Sequence, residues 1–348
     1  MRVLAFLALT ACRISGTFEC GLDDVCRRGD ELGMCEADGF CSFGDTDCTS
    51  GRRYAGNAGD GLADTCVDES ADPLTCRERW RMNVVRFGAV EDMGVNSPMD
   101  DRDPWISPAG NQLFFSSTRT TAMADIFQAT RADTSMSFGA PSVFAALSST
   151  AAESRVSFSA DSLTVYLDSN RTGTKGGMDV WRATRTTPTA GFSTPDQATV
   201  STFNTSDDEH DVLLANDGLS LYVAIGRTGF PQRLAVATRA TTSDAFGAHA
   251  IIAELDTGGN DADPALATDQ LLMVFTSLRA SPTTGANLWY TTRASVTEKW
   301  SPPRLVPDVN IDGDEGDAFI TSDACTIVFS RKVSPAANYD LVYAVVTP

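Results

Sequence analysis

Over residues 101–346 apolar and polar positions alternate in runs of five or six, bounded by Pro, Gly, Asn, Asp or Ser, and helical periodicity is nearly absent. The stretch "ISPAGNQLFFSSTR", residues 106 to 119, opens with a Pro/Gly turn and alternates into a strand-like run ending at Arg119. Nearly the same run returns as "VSFSADSLTVYLDSNR" ending at Arg171, "LLANDGLSLYVAIGR" at Arg227, "ALATDQLLMVFTSLR" at Arg279 and "FITSDACTIVFSRKV" at Val333, with spacings of 52, 56, 52 and 54. A period of this length marks a repeat architecture in which each unit is one supersecondary block.

Each unit holds further strand signals. The turn-and-strand pair is followed by "DIFQATR", "DVWRATR", "RLAVATR", "NLWYTTR" and "DLVYAVV", and then by a fourth element that starts at Phe138, Phe192, Phe246 or Trp300. Four short antiparallel strands per unit are the content of a propeller blade. The fifth unit stops at "YAVVTP" and lacks its fourth element, whereas "FGAVEDM" from Phe87 precedes the first unit and fits that column. A strand over residues 84–92 is therefore expected to complete the blade formed by residues 317 to 346, since an unpaired edge would invite aggregation. The predicted fold is all-β: a five-bladed β-propeller of four-stranded antiparallel blades, closed by an N-terminal strand and preceded by a small disulfide-rich module.

"DPWISPAGNQLFFSSTR" followed by "DIFQATR" resembles the WD40-like propeller repeat of TolB-type periplasmic proteins, and the resemblance covers residues 84 to 348. It departs where Asp161-Ser162 and Asp269-Gln270 replace the Asp-Gly of the turn, and where Arg233 and Asn287 replace the strand Asp. The resemblance implies an envelope binding protein. Fold-level likeness is poorly specific for activity, because propellers host many chemistries.

The N-terminus "MRVLAFLALTAC" has one basic residue, an apolar stretch and Leu9-Thr10-Ala11-Cys12, the order of an export signal. It resembles a bacterial lipoprotein signal, which implies cleavage before Cys12, a lipid on its thiol and a location in the cell envelope, as an outer-membrane lipoprotein facing periplasm or exterior. The expected domains are a signal over 1–11, a Cys-rich module with linker over 12–79, and the propeller over 80–348.

Seven of nine cysteines lie between Cys20 and Cys76 in a Gly/Asp-rich stretch with few large apolar residues, without a Cys-x-x-Cys pair or a histidine. That composition favours disulfides in an oxidising compartment over a zinc site. Cys20, Cys26, Cys35, Cys41, Cys48 and Cys66 are expected to make three local bridges. Cys76 and Cys325 remain, and ring closure would bring them together as a clamp on the closing blade.

With 46 acidic against 27 basic residues the formal net charge is -19. This argues against nucleic acid, whose binding depends on Lys/Arg neutralising phosphates, and limits membrane contact to the lipid anchor. Envelope proteins or a cationic, basic segment are the expected partners, with a glycan as the other candidate. The segments "VNSPMDDRD", "LSSTAAESR", "FNTSDDEHD", "LDTGGNDAD" and "VNIDGDEGD" hold fifteen of the 46 carboxylates, just before each unit's first strand. In register, one column reads Asp101, Glu153, Glu209, Asp261 and Glu315, and two residues on comes Asp103, Arg155, Asp211, Asp263 and Asp317, with His210 between the columns. Alternation would place both columns on one face and form an acidic ring at a channel mouth. Short acidic side chains also fix turns by accepting backbone N–H groups.

No cofactor is expected. The loop "DVNIDGDEGDAF" imitates the start of an EF-hand loop through Asp308, Asn310, Asp312 and Gly313, but Phe319 stands where the twelfth-position Glu belongs, so at most weak calcium binding is expected. No Gly-x-Ser-x-Gly is present, His249 stands in a column filled by prolines in three other blades, and His210 reads as an exposed loop residue. The leading expectation is a non-catalytic interaction or scaffolding surface; the alternative is a glycan-binding or glycoside-hydrolysing propeller that uses mouth carboxylates. Repetition of the acids blade by blade weighs against the enzyme, because an active site needs acids in different environments. Arg119 with Asp125, and Arg171 with Asp179, are expected to pair across hairpins. Trp181, Trp289 and Trp300 fit inter-blade packing, and Trp105 is the aromatic most open to another role.

Overall fold

In each repeat, consecutive strands pair antiparallel through tight turns, so the sheet order follows the chain. The computed structural model describes residues 26–29, 31–36, 40–58, 62–67, 74–227, 229–281, 283–333 and 338–347. Blade 1 consists of Asp101–Ile106, Gln112–Ser117, Asp125–Thr130 and Ser142–Val143. The innermost strands of blades 2 to 5 are Glu153–Phe158, Asp208–Leu214, Asp261–Leu266 and Gly313–Ile320. Five such sheets form the propeller, and blade 5 takes Glu91–Asp92 as its fourth strand, with Asp92 opposite Val342 and Glu91 opposite Tyr343. Phe87 adds a bridge to Val346. Blade 2 departs from the expected four strands: its sheet has three, and the fourth is reduced to one bridge, Arg182 to Asp196. The cause is local, since Asp196 Oδ1 accepts the N–H of Ala198 at 2.8 Å and turns the chain away.

The repeated Arg and aromatic columns have a shared task. Arg131, Arg185, Arg239 and Arg293 each donate Nε to a carbonyl of the first turn in their blade, at 2.6 to 2.8 Å. Each also lies over the ring of Phe138, Phe192, Phe246 or Trp300, at 4.2 to 4.4 Å from the centroid. One guanidinium thus ties turn, third strand and fourth element together by hydrogen bonding and cation–π attraction. Ser162 and Gln270 adopt positive φ of 58° and 61° at the turn position that Gly110 and Gly218 occupy with 70°, so the turn geometry survives loss of its glycine.

Ring closure has a second fastening. The short helix Cys76–Arg81 buries Trp80 fully against Phe87 and Tyr290, with ring centroids 5.4 and 5.0 Å away, and Trp80 Nε1 donates to the Ala324 carbonyl at 3.0 Å. Arg77 pairs with Asp269 at 3.2 Å, and Cys76 is disulfide-bonded to Cys325.

The chain divides into two compact units, Met1–Thr75 and Cys76–Pro348. In the first, a sheet of Met34–Cys35, Cys41–Gly44 and Arg52–Tyr54 carries a small core of Phe40, Tyr54, Ala58 and Val67. Disulfides join Cys26 to Cys41 and Cys48 to Cys66, and Cys35 is also disulfide-bonded. Cys12 and Cys20 lie outside the described residues. No helix among the described residues is long and apolar enough to cross a membrane.

Candidate functional site

The inner strands bring the two acidic columns to one end of the propeller but give them different surroundings. Asp101, Glu153, Glu209, Asp261 and Glu315 are all buried. Four meet an arginine from the end of the second strand: Arg119 on Asp101 at 2.6 Å, Arg171 on Glu153 at 3.1 Å, Arg279 on Asp261 at 2.7 Å and Arg331 on Glu315 at 3.1 Å. In blade 3 the second strand runs on to Arg227, which reaches Asp207 instead, and Glu209 is met by His249 at 3.3 Å. Ser117, Ser169 and Ser277 accept the backbone N–H and Nε of the arginine two residues on, and Ser169 and Ser277 donate to the carboxylate. Asp101, Glu153, Glu209 and Glu315 also accept a backbone N–H from the preceding connection. This column fixes the entry of each inner strand and is not an open mouth. The expected Arg119–Asp125 and Arg171–Asp179 pairs are replaced, because the Ser-x-Arg turn folds the guanidinium back toward its own first strand.

The second column behaves otherwise. Asp103, Asp211, Asp263 and Asp317 adopt positive φ between 53° and 57°, and in each blade the pairing register of the inner strand shifts at this point. A bulge re-aims the side chain at that position, and Asp tolerates the left-handed region better than most residues. The four carboxyls line a cavity of about 510 Å³ together with His210 and Thr276. Asp211 accepts the N–H of Asp263 at 3.2 Å, and Asp263 that of Asp317 at 3.0 Å, so consecutive blades are stitched through the column. Oxygens of Asp103, Asp263 and Asp317 all lie within 4.8 Å of one another, close enough to share one positively charged guest.

Repetition of residue type does not bring repetition of environment. Burial pushes Asp103 up to about 8, with the Asp317 charge beside it adding to the shift, and Ser116 donates to it at 2.6 Å. Burial likewise holds Asp263 well above the carboxylate range. For Asp317 burial is outweighed by Arg102, whose Nε is 2.8 Å away, and the carboxyl stays below its ordinary value. Asp211 is also depressed, burial being overcome by His210, whose Nδ1 is 2.8 Å away. Burial opposes the charge on His210, yet Asp211 prevails and raises it to about 9. Behind them Asp168, pushed by burial to about 7, accepts the N–H groups of Asp211 and Val212 at 2.7 and 3.0 Å. In blade 2 the column holds Arg155, only 3% exposed, whose charge lowers Asp103, Asp211 and Asp263. His210 is therefore a strand residue paired inside the cavity and not the exposed loop residue expected.

These shifts fix the sign of the pH response. Asp103 and Asp168 hold protons that the unfolded chain releases near 3.8, so stability falls as pH rises from that value through about 7 and 8. The stability contributed by His210 is fully present below 6.5 and is lost as pH rises through about 9. Asp211 and Asp317 act oppositely: their stabilisation is present above 3.8 and is lost as pH falls through their depressed values. The melting temperature is expected to peak between about pH 4 and 6 and to decline through neutrality. Differential scanning fluorimetry across that range checks it, and a melting temperature that climbs from acid to neutral pH would contradict the assignment.

The remaining sequence candidates fall elsewhere. Trp105 packs on Phe158 with centroids 4.4 Å apart and lines a separate cavity of about 640 Å³ beside the turns at the far end of the inner strands. Trp181 and Trp300 are buried, and Arg279 covers Trp289. Asp308, Asn310 and Asp312 turn to Phe87, Leu288 and Thr284 as acceptors of backbone N–H groups. Thr276 and Ser116, which belong to the cavity, lie on second strands that give no sequence signal beyond a strand.

No protein-family model matches this chain, and no curated protein matches it. Solved structures similar to it include an α-L-arabinofuranosidase from Lactobacillus brevis, at 12% identity and TM-score 0.49, over 72% of this chain and 92% of that one. They also include the α-L-arabinofuranosidase PaAbf62A from Podospora anserina in complex with cellotriose, at 13% identity and TM-score 0.48, over 72% and 91%. TolB from Acinetobacter baumannii matches at 11% identity and TM-score 0.42, over 73% of this chain and 56% of that one. At these identities the likeness is one of fold. The expectation of a non-catalytic protein is corrected here: enzymes stand among the similar structures, and the premise that the repeated acids share one environment fails at Asp103 and Asp317.

Proposed function

We propose that the acidic mouth is a glycan site with glycosidase-type acid–base chemistry, in which Asp103 is the proton donor and Asp317 the ionised carboxylate. The observation that carries this reading is that two carboxyls of one repeat column, with oxygens within 4.8 Å, have different neighbours: Arg102 bonds Asp317 at 2.8 Å and lowers it, whereas Asp103 meets Ser116 at 2.6 Å and is raised by burial. Glycoside cleavage uses that division: an acid protonates the leaving oxygen while an ionised carboxylate faces the developing oxocarbenium centre. Ser116 orients Asp103, and Arg102 keeps Asp317 charged. A cavity of about 510 Å³ suits a small ligand.

The test is hydrolysis of a panel of aryl glycosides and polysaccharides by the full chain, beside Asp103→Asn and Asp317→Asn variants whose folding is checked by thermal melts. One glycoside class is expected to be cleaved, with the rate about 10²–10⁴-fold lower in the Asp103 variant and falling in the parent above about pH 8 as Asp103 ionises. Cleavage of no glycoside, or a rate unchanged in Asp103→Asn, overturns the reading. The chain is further proposed to act outside the cytoplasm as a TolB-like envelope protein, which the disulfides Cys26–Cys41, Cys48–Cys66 and Cys76–Cys325 support. Mass spectrometry of the N-terminal peptide, with or without a lipid on Cys12, tests the anchor.

A further inference from the structure

We propose that the far end of the channel is a second ligand site, which takes a neutral, flat aromatic molecule bearing a carbonyl oxygen. It lies opposite the acidic mouth and holds or fails independently of the glycan reading. Its cavity of about 640 Å³, beside the first turns of the blades, suits a small organic ligand. Three observations carry the assignment. First, the inner-strand column four residues after the entry acids does not repeat: it reads Trp105, Ser157, Leu213, Ala265 and Phe319. Columns that serve the blade keep their residue type, as the arginines over the fourth elements do. Here bulky apolar groups from blades 1, 3 and 5 alternate with small ones and shape an asymmetric floor. Trp105, Leu213 and Phe319 pack on three different cores yet stay only partly buried, leaving apolar surface in the cavity. Second, Ser157 is 2% exposed and lines the same cavity. Its Oγ accepts the N–H of Leu214 at 2.9 Å, and among the described residues its own hydroxyl proton meets no acceptor. A buried donor left over in an apolar cavity calls for an acceptor that the chain does not supply. Third, the polar side chains set into the turns are committed. Ser107, Ser159 and Thr321 each donate to an acceptor in their own turn and accept a backbone N–H of the next strand. Arg131 is held by the Gly110 carbonyl and the Phe138 ring, and Asp323 accepts the N–H of Cys325.

These features select the ligand. A sugar would bury several hydroxyls against a floor that offers one donor, and a charged molecule would find no uncommitted counter-charge among Arg131 and Asp323. An aromatic ring loses only apolar hydration and gains an offset or edge-on contact with the indole. Trp105 is held ready for that contact: it rests on Phe158, with centroids 4.4 Å apart and planes at 39°, and Phe319 stands edge-on to it at 6.3 Å. Its remaining surface faces the cavity. A carbonyl oxygen on the ligand would accept the Ser157 proton while the ring lies on Trp105.

The experiment is fluorescence titration of the full chain with 6-propionyl-2-dimethylaminonaphthalene, a neutral flat ketone whose emission moves to the blue when its carbonyl loses a hydrogen-bond donor. Cellotriose is the competitor, and Trp105→Leu, Leu213→Asn and Ser157→Ala variants are compared once each is shown to melt cooperatively. One probe per chain is expected to bind, about ten- to a hundredfold less tightly in Trp105→Leu and in Leu213→Asn. In Ser157→Ala binding is expected to be about three- to tenfold weaker, with the emission of the bound probe shifted to the blue. Excess cellotriose is expected to leave the probe in place. Absence of saturable binding overturns the inference, as does binding of equal strength in the Trp105 and Leu213 variants. If Trp105→Leu does not fold, Leu213→Asn decides alone. Displacement of the probe by cellotriose overturns the aromatic ligand in favour of a sugar, and an unshifted emission in Ser157→Ala overturns the carbonyl contact.

Discussion

Replacing Cys76 and Cys325 with serine is expected to lower the melting temperature of the propeller by roughly 10–20 °C. The bridge closes a loop with a sequence separation of 249, and for a loop of that length the chain-entropy model gives about 5 kcal/mol, a figure engineered bridges often fail to reach. The native state makes the effect concrete. The closing segment pairs at Glu91 and Asp92, bridges at Phe87 and adds backbone bonds from Gly88 to Val345, Met93 to Leu341 and Thr347 to Arg86, so one edge ladder holds the ring shut. Without the disulfide, closure depends on that ladder, the Trp80 anchor and the Arg77 pair, and the pairing of the closing segment with Asp340–Val345 opens more often. Calorimetry of the double variant, with hydrogen exchange at Leu341 to Tyr343, measures both consequences. Trp80→Ala, which empties a fully buried site, should cost about 3–5 kcal/mol. An unchanged melting temperature in the serine variant, together with a large loss in Trp80→Ala, would assign closure to packing alone.

The repeat was legible because every blade uses the same small set of side chains for the same bonds. Arg131, Arg185, Arg239 and Arg293 recur because each must reach a turn carbonyl and an aromatic ring at once. Closure at Phe87 was legible for the same reason, since the missing fourth strand had to exist somewhere in the chain. The partner of the Ser-x-Arg arginine was not. Strand alternation points Arg119 across the hairpin to Asp125, but the serine two residues earlier captures its N–H and Nε and swings it to Asp101.

The two acidic columns were visible as residues but could not be separated by alternation, which treats positions two apart as one face. The bulge at Asp103, Asp211, Asp263 and Asp317 breaks that rule, and its trace in the sequence is only that Asp, a residue tolerant of positive φ, recurs there in four of five blades. Protonation state lay further from reach. Asp103 and Asp317 occupy the same column, and what divides them is Arg102, one residue before Asp103 in sequence yet bonded to the carboxyl of blade 5. A contact between the first and last blades exists only once the ring is closed.

Replacing Arg155 with methionine is expected to destabilise the protein by about 3–5 kcal/mol above pH 8, where Asp103 becomes a buried anion beside it. Arg155 is the break in the aspartate column, it is nearly fully buried, and its Nη2 donates to the Ala318 carbonyl across the channel. It stands among Asp103, Asp211 and Asp263 and lowers each of them, so its loss raises all three and makes their ionised forms harder to hold. Methionine keeps much of the side-chain length and removes the charge, which separates electrostatics from packing. The carboxyls can answer by taking up protons, and proton uptake is cheaper at low pH. The gap in melting temperature between parent and variant should therefore stay level from pH 4 to about pH 8, where Asp103 is protonated in both, and widen above pH 8, where the parent's Asp103 ionises beside the guanidinium and the variant's resists it. A gap that stays constant above pH 8 as well would mean that Arg155 acts by filling space and bonding Ala318, and the charge balance of the mouth would then rest on Arg102 and His210 alone.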